Sequence, residues 1–435
     1  MKYYSTNRNS EPVSLESAVL HGLAPDKGLY MPETIGRLPQ GFFESIADMG
    51  FREMACVVAD VMFGGDIPAS ELQAMVEDTL SFDCPVVNVS GSIYAQELFH
   101  GPTLAFKDVG ARFMARMLGY FLVGSKRKVS VLVATSGDTG SAVANGFLGV
   151  EGIDVYVLYP KGKVSKTQES QFTTLGRNIT AIEVDGVFDD CQAMVKSAFM
   201  DADLQQSMVL TSANSINVAR FLPQAFYYFS AYAQMKAIGL DGALVVCVPS
   251  GNFGNITAGV VASRMGLPIK RFVAANNSND VFLEYLSSGE YRPRHSVQTL
   301  ANAMDVGAPS NFARILDLFG GSHKEIVRHI SGAAFTDEEI SAAIRDCKRE
   351  NGYTLDPHGA CGYLALEKLL EDGETGVFLE TAHPAKFSDV VERATGEEVE
   401  VPLRLRAFTE GKKETVEMPA DFAVFKDFLL GKASK

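Results

Sequence analysis

The sequence lacks the features that mark membrane proteins and nucleic-acid-binding proteins. None of its apolar runs reaches the ~18 residues that span a bilayer, and the opening MKYYSTNRNSEPVSLESAV has no continuous apolar stretch of the kind found in signal peptides. The formal net charge is −14, with no stripe of basic residues, which argues against binding to nucleic acid. We therefore expect a cytoplasmic protein with no membrane or nucleic-acid partner.

The cysteines and histidines form no metal-binding pattern. None of the six cysteines belongs to a CxxC pair, and the seven histidines include neither an HExxH motif nor a pair four residues apart. Scattered single cysteines are typical of proteins from a reducing compartment. We expect no bound metal.

Short apolar runs rich in β-branched residues predict an α/β fold. Helix-compatible sequence separates them, and this alternation is typical of parallel βαβ units. The first ~95 residues contain short helical patterns instead and predict a mainly helical N-terminal domain. Residues 290–350 are also predicted to be helical and suggest no chemistry. The predicted strands cover residues 128–135, 153–160, 178–186, 208–214, 243–250, 271–276 and 376–384.

Lys107 lies in a setting that favours covalent chemistry. It stands between Phe106 and Asp108, after a Gly-Pro turn and before the helical-looking run GARFMARMLGYFL. Partial burial of a lysine lowers the pKa of its ammonium group and frees the amine to attack a carbonyl, as a Schiff-base lysine requires. The tripeptide alone is weak evidence, since most Phe-Lys-Asp segments are ordinary surface.

The loop ATSGDTGSA, residues 134–142, follows a predicted strand. Ligands of open α/β sheets bind beyond the carboxyl ends of strands, where helix N-termini present free N–H groups. These groups, together with side-chain hydroxyls, suit an anionic ligand such as a carboxylate. An ordinary helix N-cap is an equally good interpretation of the same residues. The polar side chains of the loop are Thr135, Ser136, Asp138 and Thr139.

The loop PSGNFGN, residues 249–255, follows another predicted strand. Its glycines allow the backbone to approach a phosphate closely, and the residues after it are compatible with a helix. It is neither a Walker A motif nor a GxGxxG dinucleotide fingerprint. A small phosphate-binding cup is the functional interpretation, and a plain strand-to-helix turn is the alternative.

The loop SANSINVARFLPQ, residues 212–224, is the third such segment. Asn214, Ser215 and Asn217 crowd a predicted helix start, and Arg220 follows one turn later. An arginine near a helix N-terminus opposes the helix dipole, so its presence needs a reason. Binding of a second anion would supply one, and a salt bridge to a carboxylate is the alternative.

Taken together, these segments predict pyridoxal 5′-phosphate as a cofactor. The cofactor has an aldehyde that would react with Lys107 and a phosphate that would fit the glycine loop. An amino-acid substrate would bring the anions that suit the other two loops.

The same segments make the chain resemble the threonine synthase family, in the branch with an extra N-terminal domain. That family is part of the tryptophan-synthase-β-like, fold-type II group of pyridoxal-phosphate enzymes. The resemblance covers essentially the whole chain, although the SGDTG loop alone is shared more widely. The segments that carry it are SLESAVLHGLAPDKGLYMPE (14–33), ELFHGPTLAFKDVG (97–110), ATSGDTGSA (134–142), YPKGKVSKTQESQ (159–171), SANSINVAR (212–220), PSGNFGN (249–255) and LETAHPAKF (379–387).

The resemblance implies a role for each matching residue. Lys107 would form the Schiff base with the cofactor, Phe106 would pack near the cofactor, and Thr381 would face its pyridine nitrogen with a hydroxyl. The cofactor phosphate would be cupped by Gly251, Asn252, Phe253, Gly254 and Asn255. The substrate, chiefly its carboxylate, would be held by Thr135, Ser136, Asp138 and Thr139. The substrate phosphate would be bound by Asn214, Ser215 and Arg220.

The resemblance also implies an architecture. Two open, twisted, mostly parallel sheets would be flanked by helices, beside the N-terminal domain of residues 1–95. The large cofactor-binding domain would comprise residues 96–127 and 240–435, and the smaller, mobile domain residues 128–239. We expect a monomer or a homodimer.

The implied reaction converts O-phospho-L-homoserine and water to L-threonine and phosphate by γ-elimination and β-addition of water, the last step of threonine biosynthesis. One alternative is a serine/threonine dehydratase or a cysteine-synthase-like β-replacement enzyme with the same cofactor. Their substrates need no distal phosphate site, so the NSIN…R segment and the N-terminal block count against them. Another alternative is a homologue that binds a ligand without catalysis, against which the intact lysine, glycine loop and Thr381 argue.

Overall fold

A computed structural model describes residues 1–125 and 128–433 of the chain. In these residues strands and helices alternate over most of the length, which confirms the predicted α/β class. The strands are β1 (Tyr3–Ser5), β2 (Tyr30–Pro32), β3 (Val86–Ser90), β4 (Ile93–Glu97), β5 (Val129–Ala134), β6 (Ile153–Pro160), β7 (Ile179–Asp185), β8 (Val209–Ser212), β9 (Leu244–Pro249), β10 (Arg271–Asn276), β11 (Ile330–Ala334), β12 (Thr375–Glu380) and β13 (Val416–Pro419).

The helices connect these strands. The α-helices are α1 (Leu15–His21), α2 (Gln40–Ser45), α3 (Phe51–Phe63), α4 (Ala69–Thr79), α5 (Lys107–Leu122), α6 (Asp138–Gly146), α7 (Lys166–Thr173), α8 (Phe188–Met200), α9 (Ala202–Ser207), α10 (Val218–Phe221), α11 (Ala225–Ala237), α12 (Gly254–Arg264), α13 (Val281–Ser288), α14 (Phe312–Leu318), α15 (His323–His329), α16 (Asp337–Asn351), α17 (Pro357–Leu369), α18 (Ser388–Thr395), α19 (Leu403–Thr409) and α20 (Phe422–Ala433). Short 3₁₀ helices cover Ile46–Asp48, Leu222–Gln224, Asn302–Met304 and Pro384–Phe387. None of the helices in the described part of the chain is both long and apolar enough to cross a membrane.

The described residues form two compact units. The three-domain division predicted from the sequence stays a prediction. The first unit comprises Met1, Pro32–Phe106 and Phe221–Glu400. The second comprises Lys2–Met31, the described residues between Lys107 and Arg220, and those from Val401 onward.

The first unit is built on a six-stranded sheet in the order β11-β10-β9-β12-β4-β3. Its neighbouring strands run parallel, except that β3 pairs antiparallel with β4. Every residue of β9 and β12 is buried, as expected where helices cover both faces of a parallel sheet. Because β9 and β12 are parallel neighbours, the glycine loop after β9 and Thr381 after β12 leave the sheet at the same edge.

The second unit is built on a five-stranded sheet in the order β13-β7-β6-β5-β8, all parallel. Here β5 and β8 are neighbours. The SGDTG loop follows β5 and the NSIN…R segment follows β8, so these two predicted substrate loops also share one sheet edge.

The predicted strands are all present, but residues 290–350 differ from the prediction. The helical interpretation is wrong for β11 at 330–334 and for residues 291–299, which form neither helix nor strand. The short run ISGAA becomes a strand because it pairs in parallel with β10. Such long-range pairing leaves little trace in local sequence. The strands β1, β2, β3, β4 and β13 were likewise not predicted.

Local signals explain where the main helix of this region begins and ends. The hydroxyl of Thr336 accepts from the N–H of Glu339, whose carboxylate in turn accepts from the N–H of Thr336, so a capping box opens α16. The helix ends at Gly352, whose φ of 71° suits a residue without a Cβ.

Candidate active site

Two extended segments of the first unit lie side by side just before Lys107. Ala105 forms an antiparallel bridge with Ala382. The N–H of Phe106 donates to the carbonyl of Thr381 at 2.9 Å. The structure therefore brings together two predicted cofactor-binding residues, Phe106 and Thr381, through their backbones.

Thr381 follows a carboxyl group that is fully buried. Glu380 is the last residue of β12, and its Oε1 accepts from the N–H of Asp356 at 2.6 Å. Burial, reinforced by the negative charge of Asp356, raises the pKa of Glu380 well above its ordinary value. Burial therefore disfavours a negative charge on Glu380, at the strand end that carries Thr381.

Lys107, in the second unit, is the first residue of α5, which begins three residues before the helical run predicted from the sequence. Its Nζ lies 3.7 Å from Oδ2 of Asp138, the first residue of α6, and the two side chains are only 16% and 3% exposed. Gln168 Nε2 donates to the other carboxylate oxygen of Asp138 at 2.9 Å. The structure thus places the predicted Schiff-base lysine beside a carboxylate whose orientation is fixed by a second partner.

Arg220 holds the main chain at Lys107. The buried guanidinium donates from Nη1 to the carbonyl of Lys107 at 2.8 Å and from Nε to the carbonyl of Ala213 at 2.9 Å. Gly110 leaves the room that this contact requires, because a Cβ there would lie 2.9 Å from Nη1. Arg220 lies in α10, close to the helix start predicted from the sequence. The bonds to the two carbonyls help to fix its position, and phosphate binding by Arg220 stays a prediction.

Thr135 organises the SGDTG loop. Its buried hydroxyl accepts from the N–H groups of Gly137 and Gly140 at 2.9 and 2.8 Å. It therefore satisfies free donors around the start of α6, although the N-cap residue itself is Gly137, which has no side-chain capping bond. Ser136 and Thr139 are only half-buried. Substrate binding by these residues stays a prediction.

The NSIN…R loop is supported by the N-terminal block of the chain. Asn217 is buried, and its Nδ2 donates to the carbonyl of Val19 in α1 at 2.9 Å and to that of Ser212 at 3.2 Å. Asn214 and Ser215 are half-buried. Asn217 is thus a structural residue of the loop, whereas substrate-phosphate binding by Asn214 and Ser215 stays a prediction.

The glycine loop 249–255 bends sharply between β9 and α12. Phe253 has a φ of 62°, a left-handed conformation that is uncommon for a bulky residue and that often marks a functional site. Its ring contacts that of Phe282 at 4.5 Å between centroids. A Cβ at Gly251 would lie 2.8 Å from the carbonyl oxygen of Ala303, so only glycine fits there. The N–H groups of the following helix start suit a phosphate.

Asn255 supplies the clearest test of whether the loop fits a phosphate. The hydroxyls of Tyr227 and Tyr228 each lie 2.7 Å from its Oδ1. Its buried Nδ2 has no hydrogen-bond partner among the residues that the structure describes. Burial raises the pKa of Tyr228 well above its ordinary value, so this hydroxyl remains a donor. A buried amide donor is costly to leave unsatisfied, and a phosphate oxygen would satisfy it. The residues of the glycine loop therefore fit the phosphate of pyridoxal phosphate.

Removing both tyrosine hydroxyls is expected to weaken cofactor binding. Without them the Asn255 amide can rotate by a half-turn and present its oxygen to the phosphate. We expect the Tyr227→Phe, Tyr228→Phe double variant to bind pyridoxal phosphate about tenfold more weakly, the value of roughly one good hydrogen bond. The measurement is the dissociation constant of the complex between apoenzyme and pyridoxal phosphate.

The control variant for this experiment comes from the same helix. Tyr232→Phe removes a hydroxyl of α11 that bonds Asp241 instead, and cofactor affinity should not change. An unchanged affinity in the double variant would show that the two tyrosines do not orient Asn255.

The two tyrosines were missed in the sequence, although a signal was present. They lie in AFYYFSAY, an α11 segment that is buried on nearly all sides. Buried tyrosines usually find a partner for the hydroxyl, so adjacent tyrosines in an apolar helix indicate a polar group nearby. That group, Asn255, could not be identified from the sequence, because it lies 27 or 28 residues further along the chain.

Comparison with known proteins places this geometry in context. Residues 81–379 match the family described as pyridoxal-phosphate dependent enzymes. Residues 2–80 match the threonine synthase N terminus, and residues 359–429 match the threonine synthase C-terminal family. No group of three or more His, Cys, Asp or Glu side chains in residues 1–125 and 128–433 is placed to hold a metal ion.

Individual relatives are similar along their whole length. The threonine synthase of Haemophilus influenzae is 44% identical over 430 residues, which are 99% of this chain and 100% of that protein. The crystal structure of threonine synthase from Escherichia coli is 42% identical, with a TM-score of 0.93 and coverage of 99% and 100% of the two chains. The structure of PLP-bound threonine synthase from Brucella melitensis is 35% identical, with a TM-score of 0.94 and full coverage of both chains.

Proposed function

This chain belongs to the threonine synthase family of pyridoxal-phosphate-dependent enzymes, and on that premise we propose that it converts O-phospho-L-homoserine and water to L-threonine and phosphate. The observation that carries the proposal is a similarity that extends over the N-terminal, cofactor-binding and C-terminal parts alike. The chain is thus a lyase of threonine biosynthesis.

Lys107 is the residue through which we propose that the chemistry runs. When bound, pyridoxal phosphate supplies an aldehyde that reacts with amines and a conjugated ring that withdraws electrons from the substrate α-carbon. Lys107 would provide the covalent anchor for this group. As a free amine, its Nζ would take the proton from Cα of the substrate, give it up, and then take one from Cβ. Asp138, 3.7 Å away, would stabilise the protonated form of the amine until that first proton is released.

The glycine loop and Thr381 would hold the two ends of the cofactor. Gly251, Asn252, Phe253, Gly254 and Asn255 would bind its phosphate, with Asn255 Nδ2 as a donor that has no other described partner. Thr381 would place a hydroxyl at the ring nitrogen. A hydroxyl, unlike a carboxylate, does not favour protonation of that nitrogen. The electron withdrawal is then moderate, which restrains side reactions such as transamination.

The SGDTG loop and the NSIN…R loop would bind the substrate at its two anionic ends. We assign the carboxylate to Thr135, Ser136, Asp138 and Thr139, where the N–H groups at the start of α6 favour an anion. We assign the phosphate to Asn214, Ser215 and Arg220, because an arginine can make charge-assisted, bidentate bonds to a phosphate.

We also propose a cytoplasmic enzyme that is a monomer or a homodimer. All six cysteines are free thiols, which suits a reducing compartment.

The test is phosphate release from O-phospho-L-homoserine, with threonine measured in the same reaction. We expect one threonine for each phosphate. If cofactor-loaded enzyme releases no phosphate, the substrate assignment is wrong. L-serine and L-threonine then test for a dehydratase, and O-acetyl-L-serine with sulfide tests for β-replacement. Turnover of these substrates alone would place the enzyme in one of those classes.

A further inference from the structure

A fully buried arginine stands behind the glycine loop, in a region to which no chemistry was assigned from the sequence. Arg314 lies in α14 and is 0% exposed. Its guanidinium packs 4.0 Å from the ring centroid of Phe221. Burial lowers the pKa of Arg314 to about 9, which still leaves it positively charged at neutral pH. A buried charge is costly unless it is hydrogen-bonded, and one hydrogen bond of Arg314 leads to Asn311 beside the glycine loop.

Arg314 is linked to the glycine loop through one asparagine. Its Nη1 donates to Asn311 Oδ1 at 2.6 Å. Asn311 Nδ2 then donates to the carbonyl of Asn252 at 3.0 Å, and the N–H of Asn311 points to the same oxygen at 3.3 Å. Ser310 N–H donates to the side-chain oxygen of Asn252 at 3.0 Å. The segment before α14 therefore holds both the backbone and the side chain of Asn252.

The Asn252 carbonyl is one end of the peptide group whose other end is the N–H of Phe253. Donors on the carbonyl fix the plane of that peptide group and polarise it, so that its N–H becomes more positive. Hydrogen-bonded chains strengthen one another in this way inside proteins, and a cation at the start of the chain adds to the effect. Phe253, in its left-handed conformation, is a central residue of the proposed phosphate cup.

We propose that Arg314 and Asn311 are positioning residues for the cofactor phosphate. They act through the Asn252–Phe253 peptide group, and the Arg314 charge favours an anion bound at the loop. This inference rests on the proposed role of residues 251–255 in binding that phosphate. It assigns a function to α14 and the residues before it, for which the sequence indicated none.

The test compares two ligands that differ only in the phosphate. Apoenzyme is titrated with pyridoxal phosphate and with pyridoxal, and the ratio of the two affinities measures what the phosphate contributes. We expect Arg314→Met, which keeps much of the side-chain length, to reduce this ratio by about tenfold or more. Asn311→Ala, which breaks the link but keeps the arginine, should reduce it in the same direction. Affinity for pyridoxal should change little in either variant.

A matched control removes a different arginine that contacts the same helix. Arg264 donates to the carbonyl of Leu318 at the end of α14 and packs on Phe319, but it is exposed and does not contact Asn311. Arg264→Met should leave the affinity ratio unchanged.

The outcomes separate this inference from the assignment on which it rests. If wild type shows no preference for pyridoxal phosphate over pyridoxal, the phosphate cup is misassigned. If wild type shows the preference and both variants keep it, Arg314 and Asn311 have no role in phosphate binding. Equal losses of affinity for both ligands would make them structural residues only, which also overturns the proposal. If Arg314→Met does not fold, the ratio measured for Asn311→Ala decides.

Discussion

Lys107→Ala is expected to lower the turnover of O-phospho-L-homoserine by about 10³-fold or more, because one amine is proposed to serve as both covalent anchor and base. The rate of threonine formation measures this loss. The resting variant should also lack the visible absorption of lysine-bound cofactor. A small primary amine added to the solution should restore part of the turnover, since the substitution leaves a space of suitable size.

Lys107→Arg separates the covalent role of the lysine from its charge. The arginine keeps a cation beside Asp138 but cannot form the bond to the cofactor, so this variant should be as inactive as Lys107→Ala. Lys426→Ala is the control, because it removes a lysine that pairs with Asp201 and Asp203 on α9 and its N-cap and should retain wild-type turnover. Turnover of Lys107→Ala within tenfold of wild type would exclude Lys107 as the catalytic amine.

The sequence was informative wherever a local pattern determines local structure. The buried parallel strands were found because their apolar β-branched runs differ from the helices around them. The helix α5 was found from an apolar run after a Gly-Pro turn, although it begins at Lys107, three residues before that run. Ile330–Ala334 could not be predicted in the same way, since ISGAA is a strand only because the edge of β10 is available to it.

The same difference is seen in the candidate site, where the motifs are local but the residues that support them are distant in the sequence. Its loops were identified by glycines, hydroxyls and a lysine that lie within a few residues of one another. Their supporting residues come from far along the chain: Arg314 reaches Asn252 through Asn311, and Asn217 reaches Val19. A single sequence does not show which distant residues are in contact. The functional motifs could therefore be predicted, whereas the side chains that orient them could not.

Arg220→Ala is expected to damage catalysis as well as substrate binding. If Arg220 only bound the substrate phosphate, its loss would raise KM and leave kcat nearly unchanged. In the structure, however, its guanidinium also donates to the carbonyl of Lys107. We therefore expect kcat to fall together with a rise in KM, and kcat/KM to fall by about 10²- to 10³-fold, as for the loss of charge-assisted bonds to two partners. Steady-state kinetics with O-phospho-L-homoserine measures both effects.

Arg220→Lys tests which of the two roles depends on the shape of the guanidinium. A lysine keeps the positive charge, so it should recover part of the affinity for the substrate phosphate. Its single ammonium cannot reproduce the fork that reaches the carbonyls of both Lys107 and Ala213, so kcat should stay low and the visible spectrum of the resting enzyme should differ from wild type. The control is Arg345→Ala, an exposed change on α16, which should alter neither kcat nor the visible spectrum. A normal spectrum and normal kcat in Arg220→Lys would show that the Lys107 contact is dispensable and that Arg220 acts on the substrate alone. A low kcat and an altered spectrum in Arg220→Lys would mean instead that one buried arginine couples recognition of the substrate to the placement of Lys107.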